Sequence, residues 1–414
     1  MQIGGFVMKR TIPGPRTFGI VFSLVFSSFV LACSPAVEKV WEFPIGSPIY
    51  STPLVIEDFI IFGSESGTLH AVDKKGHARW QFQASSSEIF AHPQSDGKLI
   101  FFGATNQKFY AIDMRGQLKW HFAARERIKS DPTVAEGVVY LSSYDGHVYA
   151  LDTVKGKLQW IFPPEKKAEK EEEEKPEEAE GEKDAKAEGE KDAKAEKDAK
   201  AEGEEEAEEK PAEDIIMPQA FSYPAPTIKN GVLYIGNLDG YMYAIQTADG
   251  KLKWRFKAGE GITSTALVED GVVYFGSKDD NVYAIDAKNG EKVIWKFNTG
   301  GDVLSSPKAK DGLLYVGSND GKLYALDLKT GKETCHFTAK GPIISYPAFY
   351  KDLVIFSGGQ GDGNVYAVRQ GSCKLFFSHK TGYKIESDPV FDGDRFYITS
   401  GDRKLYSFKI NKTK

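Results

Sequence analysis

The sequence predicts an all-β protein, an eight-bladed β-propeller made of four-stranded antiparallel blades whose ring is closed by the N-terminal strand. A unit of about 40 residues recurs along the chain, and all six tryptophans fall at its closing position. Each unit holds three short β-branched or aromatic runs bounded by Gly, Asp or Asn, and a fourth run that carries the tryptophan. One such sheet cannot bury both faces alone, whereas copies stacked around a ring can.

The clearest copy spans residues 254–295, with predicted strands near 265–268, 271–276 and 281–286 and a fourth strand that carries Trp295. The longest interval between tryptophans, from Trp160 to Trp254, equals one repeat plus an insertion. The six tryptophans are Trp41, Trp80, Trp120, Trp160, Trp254 and Trp295.

The N-terminal residues predict export. Lys9, Arg10 and Arg16 form a basic region before an apolar run at residues 18–32, which is short for a membrane span and typical of a signal peptide. We therefore assign residues 1–32 to a signal peptide and residues 33–40 to a tether.

The residues around Cys33 resemble a bacterial lipobox, although Leu31 stands where a smaller residue is usual. Cleavage before Cys33 would leave a lipidated N-terminus, and several acyl chains on one cysteine anchor a protein firmly. The alternative is an ordinary signal peptide in which Cys33 has no role. Ser34 is not an inner-membrane retention signal in the lipoproteins this resembles, which favours the outer membrane, facing the periplasm, with the cell surface as the alternative.

Counting the inner strands gives eight blades. Their motif, Ser/Thr-x-Pro or a variant, occurs at residues 51–53, 91–93, 130–132, 224–226, 264–266, 305–307, 345–347 and 387–389. The last copy ends near Ile410 without a tryptophan strand, whereas the chain begins with one at Trp41. The N-terminal strand is therefore predicted to complete the eighth blade and remove an open edge. The propeller is assigned to residues 41–163 and 215–411.

An acidic low-complexity insertion, residues 164–214, separates the third and fourth blades. Residues 165–214 contain 24 acidic and 11 basic residues, a net charge of −13, so the rest of the chain carries +7. They contain no Val, Leu, Ile or aromatic residue and are predicted to be disordered. Two roles stay open, an electrostatic spacer for a basic partner and a tolerated loop expansion. The nearly neutral body does not indicate a nucleic-acid partner.

The three cysteines are too few for a disulfide scaffold, and CxxC and HExxH motifs are absent from the sequence. Cys335 stands at a tryptophan position, and Phe376 is assigned to that position in the next repeat. An oxidising compartment would permit a Cys335–Cys373 disulfide. Their places near the outer strands of neighbouring blades, however, predict a separation too large for the bond, and hence two free thiols.

Repeated Asp and Gly residues are interpreted as turn chemistry. Asp-Gly pairs such as Asp145-Gly146 lack the dense carboxylates of a calcium loop and are typical of hairpins. Aspartates that end the third strand, such as Asp286, precede a turn glycine, here Gly290. The repeated Tyr and Trp residues are assigned to packing between blades.

We expect functional residues at positions where the repeats differ, above all where the inner strands line the central channel. Small hydroxyls dominate there, at Ser51, Thr52, Ser264, Thr265, Ser305 and Ser306. The candidate channel-lining residues are His92, Asp131, Tyr346, Glu386 and Asp388. A cofactor pocket needs aromatic walls and convergent charge, and the sequence does not show whether these residues converge. No catalytic, cofactor-binding or metal-ligating residue is predicted.

The run from Tyr149 to Trp160, Tyr-Ala-Leu-Asp followed by Gly and Trp, resembles the PQQ-type propeller repeat. Quinoprotein alcohol dehydrogenases and non-enzymatic proteins share this repeat, so it implies a fold and not an activity. The dehydrogenases are larger and carry an adjacent-Cys disulfide and a calcium-binding Glu/Asn/Asp set, neither of which is matched here. The eight-bladed size and the N-terminus are closer to the BamB-like family of the outer-membrane β-barrel assembly machinery.

That resemblance implies a non-catalytic, lipid-anchored scaffold with a monomeric body, without a cofactor, that binds protein partners of barrel assembly. Two alternatives remain, a quinone-dependent or other small-ligand enzyme and a surface-exposed binding receptor.

Overall fold

The computed structural model describes residues 36–164 and 224–411. Over these residues it contains eight four-stranded antiparallel sheets, which confirms the predicted fold class. The predicted signal peptide, Cys33 and the acidic residues 165–214 lie outside the described residues. In residues 36–164 and 224–411, no helix is long and apolar enough to cross a membrane.

The strands follow the chain from the centre of each blade outwards. Blade 1 contains β2 (Leu54–Ile56), β3 (Phe59–Gly63), β4 (Thr68–Asp73) and β5 (Ala78–Gln83). Blade 2 contains β6 (Gln94–Ser95), β7 (Leu99–Gly103), β8 (Lys108–Asp113) and β9 (Leu118–Ala123). Blade 3 contains β10 (Thr133–Ala135), β11 (Val138–Ser142), β12 (Val148–Asp152) and β13 (Leu158–Phe162). Blade 4 contains β14 (Thr227–Lys229), β15 (Val232–Gly236), β16 (Tyr241–Gln246) and β17 (Leu252–Lys257).

The second half repeats this plan. Blade 5 contains β18 (Leu267–Glu269), β19 (Val272–Gly276), β20 (Asn281–Asp286) and β21 (Val293–Asn298). Blade 6 contains β22 (Lys308–Lys310), β23 (Leu313–Gly317), β24 (Lys322–Asp327) and β25 (Glu333–Thr338). Blade 7 contains β26 (Ala348–Tyr350), β27 (Leu353–Ser357), β28 (Asn364–Arg369) and β29 (Leu375–Lys380). Blade 8 contains β30 (Val390–Asp392), β31 (Arg395–Ser400), β32 (Lys404–Ile410) and β1 (Val37–Pro44).

The core lies between neighbouring blades. Met242 and Ala244 of blade 4 pack with Val273 and Phe275 of blade 5 in one buried cluster. The second and third strands read as nearly continuous apolar runs because both of their faces are covered. Outer strands such as β21 bury alternate residues and expose the rest. Burial at these interfaces is the main stabilising term of the fold.

The N-terminal strand closes the ring, as predicted. β1 pairs antiparallel with β32 from Val37 opposite Ile410 to Pro44 opposite Lys404. The strand thus includes residues 37–40, which the sequence assigned to the tether. The inner strands β2 and β30 also contact each other, and Trp41 Nε1 of β1 donates to the Lys74 carbonyl at 3.2 Å, so blades 1 and 8 meet at both the inner and the outer edge.

Each tryptophan of an outer strand covers a glycine of the next blade. The Trp254 Nε1 group donates to the Ala287 carbonyl at 3.0 Å, and a Cβ atom at Gly290 would lie 2.5 Å from Trp254 Cε3. The same arrangement recurs for all six tryptophans, with Nε1–oxygen distances of 2.8–3.2 Å. The covered glycines are Gly76, Gly116, Gly156, Gly250, Gly290 and Gly331. This confirms the assignment of the tryptophans to packing between blades.

The expectation of two free thiols is wrong, because Cys335 and Cys373 form a disulfide with Cα atoms 5.9 Å apart. Cys335 pairs with Ala325 as Trp295 pairs with Ala284. Cys373 has a φ of +52° and occupies the glycine position of the next blade's turn. The two Cα atoms lie close together because the outer strand of blade 6 lies against the turn of blade 7. It does not lie against the outer strand of blade 7.

The assignment of Phe376 to a tryptophan position is also corrected. Phe377 pairs with Ala367, the register held by tryptophan in other blades. Cys373, and not a glycine, marks the turn of this repeat, and Phe377 follows it by four residues as Cys335 follows Gly331.

The repeated aspartates are turn residues, as predicted. The Tyr149 hydroxyl donates to Asp145 at 2.6 Å, and this carboxylate also accepts the His147 backbone N–H at 2.9 Å. The Asp286 carboxylate accepts the Lys288 N–H at 2.7 Å. These bonds satisfy local backbone groups at each hairpin.

Candidate functional site: the central channel

Eight residues, one from each inner strand motif, form what we call the channel ring. In six of the eight motifs a Ser precedes the ring residue, and its side chain can bond to its own blade: Ser130 Oγ accepts the Ser142 N–H at 3.1 Å, and Ser264 Oγ accepts the Gly276 N–H at 2.8 Å. This anchoring places the following residue at the centre. The ring residues are Thr52, His92, Asp131, Ala225, Thr265, Ser306, Tyr346 and Asp388.

Hydrogen bonds link ring residues across five blade junctions. In each, the backbone N–H of one ring residue donates to the side chain of the next. The donor–acceptor pairs are His92 N to Asp131 Oδ1 (2.7 Å), Ala225 N to Thr265 Oγ1 (3.0 Å), Thr265 N to Ser306 Oγ (2.7 Å), Tyr346 N to Asp388 Oδ1 (2.6 Å) and Asp388 N to Thr52 Oγ1 (2.8 Å). These bonds give the small hydroxyls and both aspartates a structural role.

One imidazole lies between two carboxylates in the ring. His92 Nδ1 is 2.8 Å from Asp131 Oδ2 and 3.9 Å from Asp388 Oδ2. The Thr52 hydroxyl donates to Asp388 Oδ2 at 3.1 Å. Burial raises the pKa of Asp388 to about 6. Burial alone would lower the pKa of His92, but the neighbouring Asp131 and Asp388 carboxylates outweigh it, and that pKa is raised.

The ring separates two cavities of the channel. The first has a volume of about 310 Å³ and the second about 580 Å³. Four residues line both: His92, Asp131, Tyr346 and Asp388. We call these four residues the constriction.

The structure brings the five sequence candidates together around the first cavity. Four of them form the constriction, and Glu386 lies in the wall, where it binds Lys384 Nζ at 2.6 Å. Sequence reasoning missed the rest of the lining, which is Tyr50, Phe90, Lys129, Thr263, Lys278, Leu304 and Ile344. All but Lys278 precede a ring residue by two positions. Applying that offset to every repeat would have found them.

Aromatic rings and cations meet in the wall of the first cavity. Tyr50 and Phe90 are stacked with ring centroids 6.0 Å apart. Lys384 Nζ lies 4.8 Å from the Tyr50 ring centroid, and Lys129 Nζ lies 4.4 Å from that of Phe90. Both distances suit a cation–π interaction.

Residues 65–174 and 199–336, more than half of the chain, match the family described as outer membrane protein assembly factor BamB. The chain belongs to this BamB family. The family assignment agrees with the eight blades and the closing β1 strand. No curated protein matches the sequence significantly.

Solved structures share the fold at low identity. BamB from Moraxella catarrhalis aligns with a TM-score of 0.67 and 15% identity over 91% of this chain and 99% of its own. The computationally designed Ika8 protein aligns with a TM-score of 0.68 and 15% identity, over 90% and 100%. Quinohemoprotein alcohol dehydrogenase ADHIIG from Pseudomonas putida HK5 aligns with a TM-score of 0.64 and 14% identity, over 92% and 77%.

The residues present do not fit the quinone site that the dehydrogenase resemblance implies. The sequence contains no adjacent cysteines, and the Cys335–Cys373 bond joins an outer strand to a turn. Over residues 36–164 and 224–411, no group of three His, Cys, Asp or Glu side chains is arranged to hold a metal ion.

Proposed function

We propose that this BamB-family chain is a non-catalytic, lipid-anchored scaffold that binds other proteins during outer-membrane protein assembly. The match to the assembly-factor family over more than half of the chain carries the proposal. The channel chemistry supports it, because the polar ring residues are engaged in bonds between blades. Binding would then use the loops and faces where the eight repeats differ.

The anchor is proposed to be lipidated Cys33, which places the propeller against the periplasmic face of the outer membrane. Since β1 begins at Val37, only residues 34–36 separate it from Cys33. Fully extended, the four residue steps span about 14 Å. A Cys33→Ser variant should lose incorporated radiolabelled palmitate and leave the membrane fraction, whereas unlabelled wild-type protein would contradict the anchor.

The scaffold role is tested by affinity co-purification from detergent-solubilised membranes. Recovery of barrel-assembly components in near-stoichiometric amounts is expected. Their absence, together with an abundant unrelated partner such as a host protein, would favour the receptor alternative. Since the Cys33→Ser change lies outside the propeller, the soluble variant should still bind when it is mixed with detergent-solubilised membranes.

The enzyme alternative is favoured by one observation, the alignment with a quinohemoprotein alcohol dehydrogenase. Purified protein should show no saturable quinone absorbance when titrated with pyrroloquinoline quinone and calcium. Stoichiometric absorbance coupled to alcohol oxidation would overturn the scaffold proposal.

A further inference from the structure

The start of β1 fixes where the proposed lipid anchor joins the propeller. Val37 pairs with Ile410, and the Asn411 N–H donates to the Ala36 carbonyl at 2.9 Å, so the chain is held from Ala36 onwards. Cys33 is three residue steps from Ala36, and three steps span at most about 11 Å. The outer edge of blade 8, at this end of β1, must therefore lie next to any bilayer that holds the lipid.

The segments around this edge form a basic surface, which we call the anchor-side patch. Its members are residues 73–79 of blade 1, 369–376 of blade 7, and 37–40 and 408–411 of blade 8. Two contacts join the three blades: Trp41 Nε1 donates to the Lys74 carbonyl, and Phe376 packs against the buried cluster that contains Val37. The patch has seven basic and two acidic residues, a net charge of +5.

The same segments on the other side of the ring are less basic. In blades 3, 4 and 5 they are residues 152–159, 246–253 and 286–294. Together these hold six basic and four acidic residues, a net charge of +2. The excess of positive charge thus lies beside the point where the lipid is attached, and it complements an anionic membrane surface.

Three lysines of the patch are not neutralised within the fold. Lys75, Lys374 and Lys409 make no ion pair within residues 36–164 and 224–411, and Lys75 and Lys374 are exposed. The other four cations of the patch, Lys39, Lys74, Arg79 and Arg369, are in ion pairs. The three lysines can therefore bind phosphate groups without breaking a bond of the propeller.

Apolar side chains accompany these lysines at the outer edge. The residue directly before the tryptophan position is Val40 in blade 8 and Phe376 in blade 7. Val40 is 38% exposed, and Arg369 Cζ lies 4.4 Å from the Phe376 ring centroid. Blade 5 has Ile294 here, but the remaining blades have polar residues: Arg79, Lys119, Gln159, Lys253 and Thr334. Basic residues combined with aromatic and aliphatic ones are typical of surfaces at the membrane interface.

The acidic insertion begins at the opposite end of the strands. Phe162, which ends β13, pairs with Val148 at the start of β12, next to the turn between β11 and β12. The equivalent turn of blade 5 carries Lys278 of the first cavity. The chain thus enters residues 165–214, with their net charge of −13, from the face of the first cavity. Contact through the anchor-side patch keeps this starting point away from anionic headgroups, which would repel the insertion.

We propose that the anchor-side patch binds the anionic phospholipid headgroups of the leaflet that holds the anchor, with the first cavity facing away from the membrane. This inference rests on the proposed lipidation of Cys33. Lys75, Lys374 and Lys409 contact lipid phosphates, and Phe376 lies at the level of the headgroups. Each lysine or arginine beside an anionic leaflet strengthens membrane binding about fivefold.

The test is lysine footprinting of the full lipidated chain in vesicles of phosphatidylethanolamine and phosphatidylglycerol, without other proteins. Acetylation followed by mass spectrometry gives the modification rate of each lysine, with the detergent-solubilised chain as reference. The rates of Lys75 and Lys374 should fall about fivefold or more in the vesicles. Lys155 and Lys157 are the matched controls, because they occupy the same turn positions in blade 3, and their rates should not change.

Charge-reversal variants test whether the contact is electrostatic. Lys75→Glu/Lys374→Glu should abolish the protection of Lys409 in the vesicles, whereas Lys155→Glu/Lys157→Glu, with the same change of net charge, should preserve it. Replacing phosphatidylglycerol with phosphatidylcholine, or raising the salt concentration, should also abolish the protection.

The outcomes separate the patch from the anchor and from the scaffold role. Vesicle-bound protein with unprotected lysines, or with equal protection in blades 1, 3 and 7, would overturn the patch and leave the anchor intact. A chain that the vesicles do not retain would overturn both. Protection that requires added barrel-assembly components would overturn the patch in favour of a protein partner. A failed co-purification would reject the scaffold role without changing the footprint.

Discussion

Cys335 of blade 6 is bonded to Cys373 of blade 7 at the position where Trp295 of blade 5 covers Gly331 of blade 6. Both arrangements join an outer strand to the turn of the following blade. A covalent bond thus replaces a tryptophan–glycine contact at one junction of the ring. Cys335 occupies the tryptophan position of its own repeat, and Cys373 occupies the turn-glycine position of the next repeat.

Reduction of this disulfide should destabilise the propeller. The bond closes a loop with a sequence separation of 38 residues, for which the loss of unfolded-state entropy corresponds to about 4 kcal/mol. Cys335→Ser should lower the free energy of unfolding by a similar amount, measured by denaturant titration. Adding reductant to this variant should have no further effect. Equal midpoints for oxidised and reduced wild type would contradict this role.

The reciprocal variant Cys335→Trp/Cys373→Gly should restore the contact of the other junctions. We expect it to unfold at a higher denaturant concentration than Cys335→Ser and to be insensitive to reductant. Either single change, Cys335→Trp or Cys373→Gly, should be less stable than the pair, because the Trp ring needs the space that only glycine leaves. Additive effects would show that the two positions do not interact.

The tryptophan–glycine contact itself is tested by two glycines of blade 5. Gly290 and Gly271 have similar φ values, +71° and +76°. Alanine costs roughly 1–2 kcal/mol at either position because of the left-handed conformation. Only at Gly290 would the new Cβ meet Trp254; Gly271 has no atom within 4 Å. Gly290→Ala should therefore reduce the free energy of unfolding clearly more than Gly271→Ala, and equal losses would contradict the contact.

Deletion of residues 37–44 should remove the outer strand of blade 8. The edge of β32 would lose its pairing with β1, and the buried Val37 would be lost from the cluster around Phe408. We expect a lower and broader melting transition by circular dichroism. Glu42→Gln, which removes only the exposed ion pairs with Lys39 and Lys404, should change stability by less than about 1 kcal/mol. An unchanged transition after the deletion would rule out closure by β1.

Stability should depend on pH through Asp388 and His92. The folded-state pKa of Asp388 is about 6, above its ordinary value of 3.8, and the pKa of His92 is raised above 6.5. Both groups bind more protons in the folded state than in the unfolded state. Their contribution is therefore largest below the unfolded pKa and is lost as the pH rises through the folded pKa.

Between pH 4 and 7, wild type should lose up to about 3 kcal/mol of unfolding free energy relative to Asp388→Asn. Asp73 provides a control of opposite sign. Burial opposes the shift, but hydrogen bonds from His77 and Lys75 lower its pKa to about 2. Its contribution is lost as the pH falls below 4, so wild type should lose stability there relative to Asp73→Asn. Parallel pH profiles for wild type and Asp388→Asn would contradict the buried carboxylate.

The blade count and the closing strand could be predicted because the tryptophan and Ser-x-Pro positions repeat in register with the strands. The disulfide could not, because Gly331 and its equivalents were interpreted only as turn residues. Recognising them as the partners of tryptophan would have paired Cys373 with Cys335. In the channel, the ring side chains follow from the motif. The contribution of Lys278 does not, because it comes from the turn between β19 and β20, which the Lys278 N–H bond to the Gly261 carbonyl holds against the inner segment of the same blade.

The most direct test of the scaffold proposal is quantitative mass spectrometry of proteins that co-purify with the tagged full chain from solubilised outer membranes. The closure-deficient deletion of residues 37–44 serves as the matched control, because it disturbs the propeller and retains Cys33. If the scaffold proposal holds, barrel-assembly components will be enriched with wild type in near-stoichiometric amounts and lost with the deletion. Equal recovery with both proteins, or no enrichment with wild type, would contradict it.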